Sequence, residues 1–369
     1  MWDSLKLIFT DYTVGVITCG TALLGAISGM LGCFAVLKKE SLLGDAISHA
    51  ALPGIVLAFL ITGTKSSSGL LIGAFLSALL GLFWIRKIVT KTHLKTDTAL
   101  GLVLSVFFGF GMVLLTFIQK MPDANQAGLD KFLFGQAATL MVEDVWMMGA
   151  VTTLSLFVVI LFWKEFKIML FDKDYAHSIG IKTKLLDALV SLLIVVAIVL
   201  GLQTVGVILM SAILLAPAAA ARQWTNSLKN MVILAGIFGA LSGITGTAIS
   251  ASSAHIPTGP VIVMVAAVIV IISLIFSPER GYLFKQIKHR RNRNDLKLKK
   301  TLQLMYNIAV SHKNVYHPHS VKLLNNFRGY SKKSIQQMQR DGWISITGGM
   351  WSITPKTFEY ITQSKQQQI

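Results

Sequence analysis

The chain has 369 residues, 53% of them hydrophobic, and its 34 Lys and Arg outnumber 17 Asp and Glu for a net charge of +17. A mean hydropathy of +0.64 excludes an ordinary water-soluble globular protein. The charge is uneven: residues 1–276 hold 17 basic and 13 acidic side chains, residues 277–369 hold 17 and 4, which predicts an apolar domain over 1–280 and a basic soluble tail beyond it.

Nine apolar segments of membrane-spanning length follow in order: 14–37, 43–62, 69–85, 97–118, 143–163, 185–203, 204–221, 230–251 and 259–276. Residues 185–221 form one apolar stretch, too long for a single ordinary span, and are divided near Gln203; eight spans is the alternative. The first run is too long for a signal-peptide core and lacks a basic flank, so it reads as a retained span. It holds both cysteines, Cys19 and Cys33, which read as packing residues rather than a disulfide framework. Basic residues cluster at Lys38-Lys39, Arg86 to Lys95, Lys164 to Lys184, Arg222 to Lys229 and after Arg280. With nine spans all of these fall on one side, which the positive-inside rule makes the cytoplasm. The spacings Gly25-x3-Gly29 with Gly32, and Gly239-x3-Gly243 with Gly246, read as close helix contacts inside one bundle.

The tail subdivides. Residues 281–297, with Arg290-Arg291-Asn292-Arg293-Asn294, read as a basic linker. Leu298, Leu302, Met305 and Ala309 have helical spacing, 318–326 is a second candidate helix, and 331–341 is a third, opened by Ser331 and stopped by Gly342. Two alternating runs around Gly348-Gly349 predict a β-hairpin. The expected fold is therefore an all-α polytopic membrane protein of about nine spans with a small cytoplasmic α+β domain of winged-helix outline over 298–369.

The second span carries Asp45 and His49, four residues apart and so on one helical face. Ionisable groups in lipid are costly and usually mark a cavity or path. Oxygen and nitrogen donors suit manganese, zinc and iron, and the missing thiolate argues against copper(I). The structural alternative is a buried hydrogen bond that fixes the span. Pro53, one turn later, removes a backbone donor. Met210, in the seventh segment, reads as an adaptable packing residue or as a gate. His255 on the outer side and His93 and His177 on the inner side are weaker ligand candidates. No GxxxxGK[ST] phosphate loop occurs, so ATP hydrolysis by that route is not expected of this chain.

The segment Asp45-Ala46-Ile47-Ser48-His49-Ala50-x-Leu52-Pro53-Gly54 resembles the membrane permease of ATP-binding-cassette importers for zinc, manganese and iron. Four further stretches agree with that family: Thr96-Asp97-Thr98-Ala99-Leu100-Gly101, Phe171-Asp172-x3-Ala176-x3-Gly180-Ile181, Gln203-Thr204-Val205-Gly206 through Ala219, and Pro257-Thr258-Gly259-Pro260. The resemblance implies a transport subunit with no bond chemistry of its own and no permanently bound cofactor. Its cargo would be a divalent cation held by Asp45 and His49. The partners implied are an ATP-binding subunit, an extracellular metal-binding lipoprotein and a second permease, the same or closely similar. The short cytoplasmic helix that docks the ATPase is expected at 220–229, with Arg222, Gln223 and Trp224 as contacts. In the tail, 331–344 resembles the recognition helix and wing entry of repressors of the diphtheria toxin repressor type, without their metal-binding domain. Lys332, Lys333 and Arg340 would then meet phosphates, of membrane lipid before nucleic acid, because the tail is membrane-tethered. The rival readings are a proton-driven secondary metal transporter and a membrane-tethered metal-responsive regulator.

Overall fold

The computed structural model describes residues 11–63, 67–120, 135, 137, 140–252, 256–311, 315–321 and 332–366. Two compact units emerge, Met1–Tyr282 and Leu283–Ile369. The first consists of α1 (Tyr12–Leu37), α2 (Leu43–Thr62), α3 (Ser67–Lys91), α4 (Thr96–Gln119), α5 (Val142–Leu161), α6 (Trp163–Phe171), α7 (Lys173–Ser178), α8 (Thr183–Thr204), α9 (Val207–Trp224), α10 (Leu228–Ala251) and α11 (Thr258–Phe276). Among the described residues nine of these are long and apolar enough to cross a membrane; α6 and α7 are not. The protein is a mostly helical polytopic membrane protein.

Local chemistry sets the boundaries. Asp11 opens α1 by accepting hydrogen bonds from the Thr13 and Val14 N–H groups. The long apolar run at 185–221 breaks at Gly206, whose φ of +86° suits glycine alone. Helix α8 therefore ends at Thr204 and α9 starts at Val207, beside the expected division. Helix α3 runs past the expected end at 85 to Lys91, so Arg86 and Lys87 lie on a helix rather than in a loop. The Lys87 ammonium rests 5.0 Å from the Trp84 ring and 5.7 Å from the Phe83 ring.

The two glycine stripes read from the sequence pack against each other. A Cβ on Gly25 would lie 2.2 Å from the Gly239 carbonyl oxygen, and one on Gly243 would lie 2.4 Å from that of Thr21. Only hydrogen at these positions lets α1 and α10 approach backbone to backbone. The Thr21 and Thr247 hydroxyls meet at 3.0 Å in the same seam. Around this crossing, α1, α2, α8 and α9 bury their large apolar residues. Helices α3, α4, α5 and α11 form the periphery and keep residues such as Ile72, Phe110, Leu154 and Met264 exposed, as a lipid-facing surface requires.

The second unit contains most of α12 (Tyr282–Val310), then β1 (His319–Ser320), α13 (Lys332–Arg340), β2 (Ile344–Thr347), β3 (Met350–Ile353) and α14 (Pro355–Gln366). The strands form an antiparallel sheet in the order β1-β3-β2, with Ile344 opposite Ile353 and His319 opposite Trp351. The hairpin turns at Gly348 and Gly349, both with positive φ. Leu302, Met305, Met338, Ile344, Trp351, Ile353 and Ile361 make a separate core. The expected linker at 281–297 is instead almost wholly helical, because 282–310 contains neither Gly nor Pro and is rich in helix-forming Leu, Lys, Arg and Gln. The expected helix at 318–326 is corrected at its start, where pairing with β3 draws His319 and Ser320 into a strand. Its remainder past Val321, and the Ser331 cap, lie outside the described residues.

Candidate metal centre

Asp45 and His49 occupy the first two turns of α2. Their side chains share a face, with His49 Nε2 3.7 Å from Asp45 Oδ1. That separation exceeds a hydrogen bond, so the two groups converge without satisfying each other. The imidazole side chain is 14% exposed and the carboxylate 36%, which leaves the pair reachable while its flanks are closed. Buried Nδ1 of His49 has no hydrogen-bond partner. Phe108 of α4 meets the imidazole edge to face, with ring centroids 4.6 Å apart. On the other flank, a Cβ on Gly44 would touch Ser211 and Leu214 of α9.

Pro53 sits within α2. In an α-helix the carbonyl of His49 accepts from residue 53, and proline has no N–H to give. One residue thus presents both an imidazole and a carbonyl without its helical donor. One step on, Ser77 of α3 donates to the Ala50 carbonyl at 2.6 Å. Among the described residues no group of three or more His, Cys, Asp or Glu could hold a metal ion. The pair supplies two protein donors, fewer than the four of a tetrahedral zinc site.

The other candidates fall elsewhere. Met210 is fully buried, and a Cβ on Gly201 of α8 would lie 2.1 Å from its sulfur; it is a wedge between α8 and α9. His255 lies outside the described residues, and His93 and His177 stand at the basic end. The separate docking helix expected at 220–229 does not form. The run Ala218-Ala219-Ala220-Ala221 carries α9 on to Trp224, residues 225–227 are a link, and Leu228 already begins α10. Trp224 turns toward Phe238 of α10, ring centroids 6.5 Å apart, and the Ser277 hydroxyl donates to the Gln223 carbonyl. Arg222 is half-buried. Exposed aromatic groups at this end include Phe171 of α6 and the nearby Tyr175 of α7, both more than half exposed, with Ile179 beside them. In the second unit, Arg340 is exposed in the last turn of α13, and the side chains of Lys332 and Lys333 lie outside the described residues.

Sequence reasoning missed an ion cluster at the basic end. Lys38 reaches Glu40 at 3.1 Å and Asp187 of α8 at 2.7 Å; Arg86 of α3 pairs with Asp187, approaches Glu40 at 4.0 Å and donates to Ser191. Lys38, Glu40 and Asp187 side chains are only 10–13% exposed. Two charges of each sign cancel where water is scarce, which is how buried charges are tolerated. The sole local hint was the Lys38-x-Glu40 spacing in the α1–α2 turn.

Among the described residues, nine apolar helices with a recessed carboxylate–imidazole pair on the second define a polytopic membrane protein of the transport class. The chain belongs to the ABC 3 transport family, which it matches over residues 11–277. It is 49% identical over 288 residues to the zinc transport system membrane protein TroC of Treponema pallidum (strain Nichols), covering 78% of this chain and 97% of that one. It is 41% identical over 370 residues to the manganese transport system membrane protein MntC of Bacillus subtilis (strain 168), covering 99% and 85%. Among solved structures, PsaBC from Streptococcus pneumoniae in complex with Fab superposes with a TM-score of 0.67 at 30% identity, over 77% of this chain and 99% of that one.

Proposed function

We propose that this chain is the membrane permease subunit of an ATP-binding-cassette importer that carries a divalent transition metal across the cytoplasmic membrane. The observation that carries the reading is the Asp45–His49 pair, convergent but mutually unsatisfied on a helix of an ABC 3 family fold. Its cargo is manganese or zinc, the metals named for the relatives, with iron fitting the same donors. Two protein donors leave coordination positions for water, for the His49 carbonyl or for a second permease. Alternating access then exposes the pair outward and inward in turn. The free energy comes from a separate ATP-binding subunit, and an extracellular lipoprotein delivers the metal.

Exposed aromatic groups on α6 and α7 support an ATPase contact there, while Trp224 and Gln223, beside the half-buried Arg222, brace the α9–α10 link through Phe238 of α10 and through Ser277 just after α11. The tail is a cytoplasmic winged-helix-like module of regulatory or assembly role, supported by the α13–hairpin succession and its separate core. Lys332, Lys333 and Arg340 give it a basic helix suited to membrane lipid. Metal-resolved uptake in a strain lacking other importers tests the main reading: accumulation of manganese or zinc that vanishes with Asp45→Asn supports it. Uptake that persists without any co-purifying ATPase, driven by a proton gradient, would establish the secondary-transporter alternative instead.

A further inference from the structure

A groove of about 790 Å³ opens between α5 and α10, with Met30 of α1 in its lining. Its walls are apolar, and Ile160 and Ile233 along them are exposed. One end differs in kind. Where α5 gives way to α6, Trp163, Lys164 and Glu165 line it, and Lys229 joins them from the start of α10. None of the ion pairs among the described residues uses Lys164 or Lys229. The rim therefore presents two ammonium groups against one carboxylate. This face is separate from the metal pair, whose flanks are α4 and α9, whereas α5 packs on α1.

An apolar slot between spans, closed at the membrane boundary by ammonium groups and an indole, complements an amphiphile with a negative head. We propose that the groove binds an anionic phospholipid of the leaflet at the basic end, with an acyl chain between α5 and α10 and the phosphate between Lys164 and Lys229. Such a lipid ties the end of α5 to the start of α10 and so holds the periphery of the bundle to its central crossing.

The test uses the full chain purified in detergent and titrated with phosphatidylglycerol or with phosphatidylcholine of the same acyl chains, bound lipid being counted by native mass spectrometry. Wild type should retain phosphatidylglycerol in preference. The variant K164Q/K229Q should lose about 25-fold in affinity for it, at roughly fivefold per ammonium group. The charge-keeping K164R/K229R and the control K182Q/K184Q, which alters basic residues away from the groove, should bind as wild type does. Ile160→Trp, which fills the slot, should displace the lipid. Equal retention of the two lipids by wild type overturns the proposal. So does equal loss in K182Q/K184Q, loss in the arginine variant, or lipid retained by Ile160→Trp. If Ile160→Trp dissociates a dimer while the lipid count stays fixed, the groove is an interface between copies and the proposal also fails.

Discussion

At the scale of single residues, the Asp45–His49 pair makes a prediction that separates a metal site from a structural bond. If both donors hold one cation, Asp45→Asn and His49→Ala should each remove most uptake, and the double variant should be little worse than either, since residues acting as one site are not additive. Assembled protein should stay near wild-type abundance, because Asp45→Asn keeps shape and sheds a partly buried charge. Uptake measured per assembled transporter decides the matter: normal values in both single variants remove the site. Protons compete with the metal for both donors, so uptake should fall on acidification and recover with excess metal. The ion cluster predicts the opposite kind of behaviour. Asp187→Asn leaves Lys38 and Arg86 with only Glu40 and should cost about 3 kcal/mol of stability, as breaking a buried pair does. Adding Lys38→Gln restores neutrality and should recover part of that loss in a thermal unfolding assay.

Helices and their contacts explain what the sequence made legible. The nine spans were readable because each is a long apolar run, and the hairpin because alternation around Gly348-Gly349 admits few other structures. The convergence of Asp45 and His49 was readable because the two are four residues apart on one helix. Lys38, Arg86 and Asp187 were not, since they come from three elements far apart in the chain and no local spacing announces them. The docking surface is harder to read for a related reason. A basic segment with a tryptophan looks the same in sequence whether the ring faces outward or, as Trp224 does, packs on Phe238. This distinction is testable. Tyr175→Ala should reduce ATPase co-purification and metal-coupled ATP hydrolysis with the fold intact, whereas Trp224→Ala should first lower thermal stability. The reverse pattern would return docking to the end of α9. Gly25→Leu gives a stricter test of the α1–α10 crossing. A Cβ there meets backbone rather than a flexible side chain, so the cost should exceed about 3 kcal/mol and appear as lost folded protein.

For the whole molecule, two compact units with separate cores predict that the tail is dispensable for folding of the helical unit. A chain ending at Tyr282 should insert and remain monodisperse in detergent, with metal uptake retained and its regulation altered; aggregation of that truncation would mean that the units depend on each other. The ion cluster also has a history in time. During synthesis Lys38 and Arg86 leave the ribosome with the first three helices, long before Asp187 exists. In that interval Glu40 is their one acidic partner and the group keeps a net positive charge beside the early spans, the kind of signal that holds a new segment to the cytoplasmic face. Only when the sixth span arrives do they become partners in a neutral cluster. The same two side chains thus serve first to orient the nascent chain and later to fasten the finished one, and their loss should show as inverted helices as well as unstable ones.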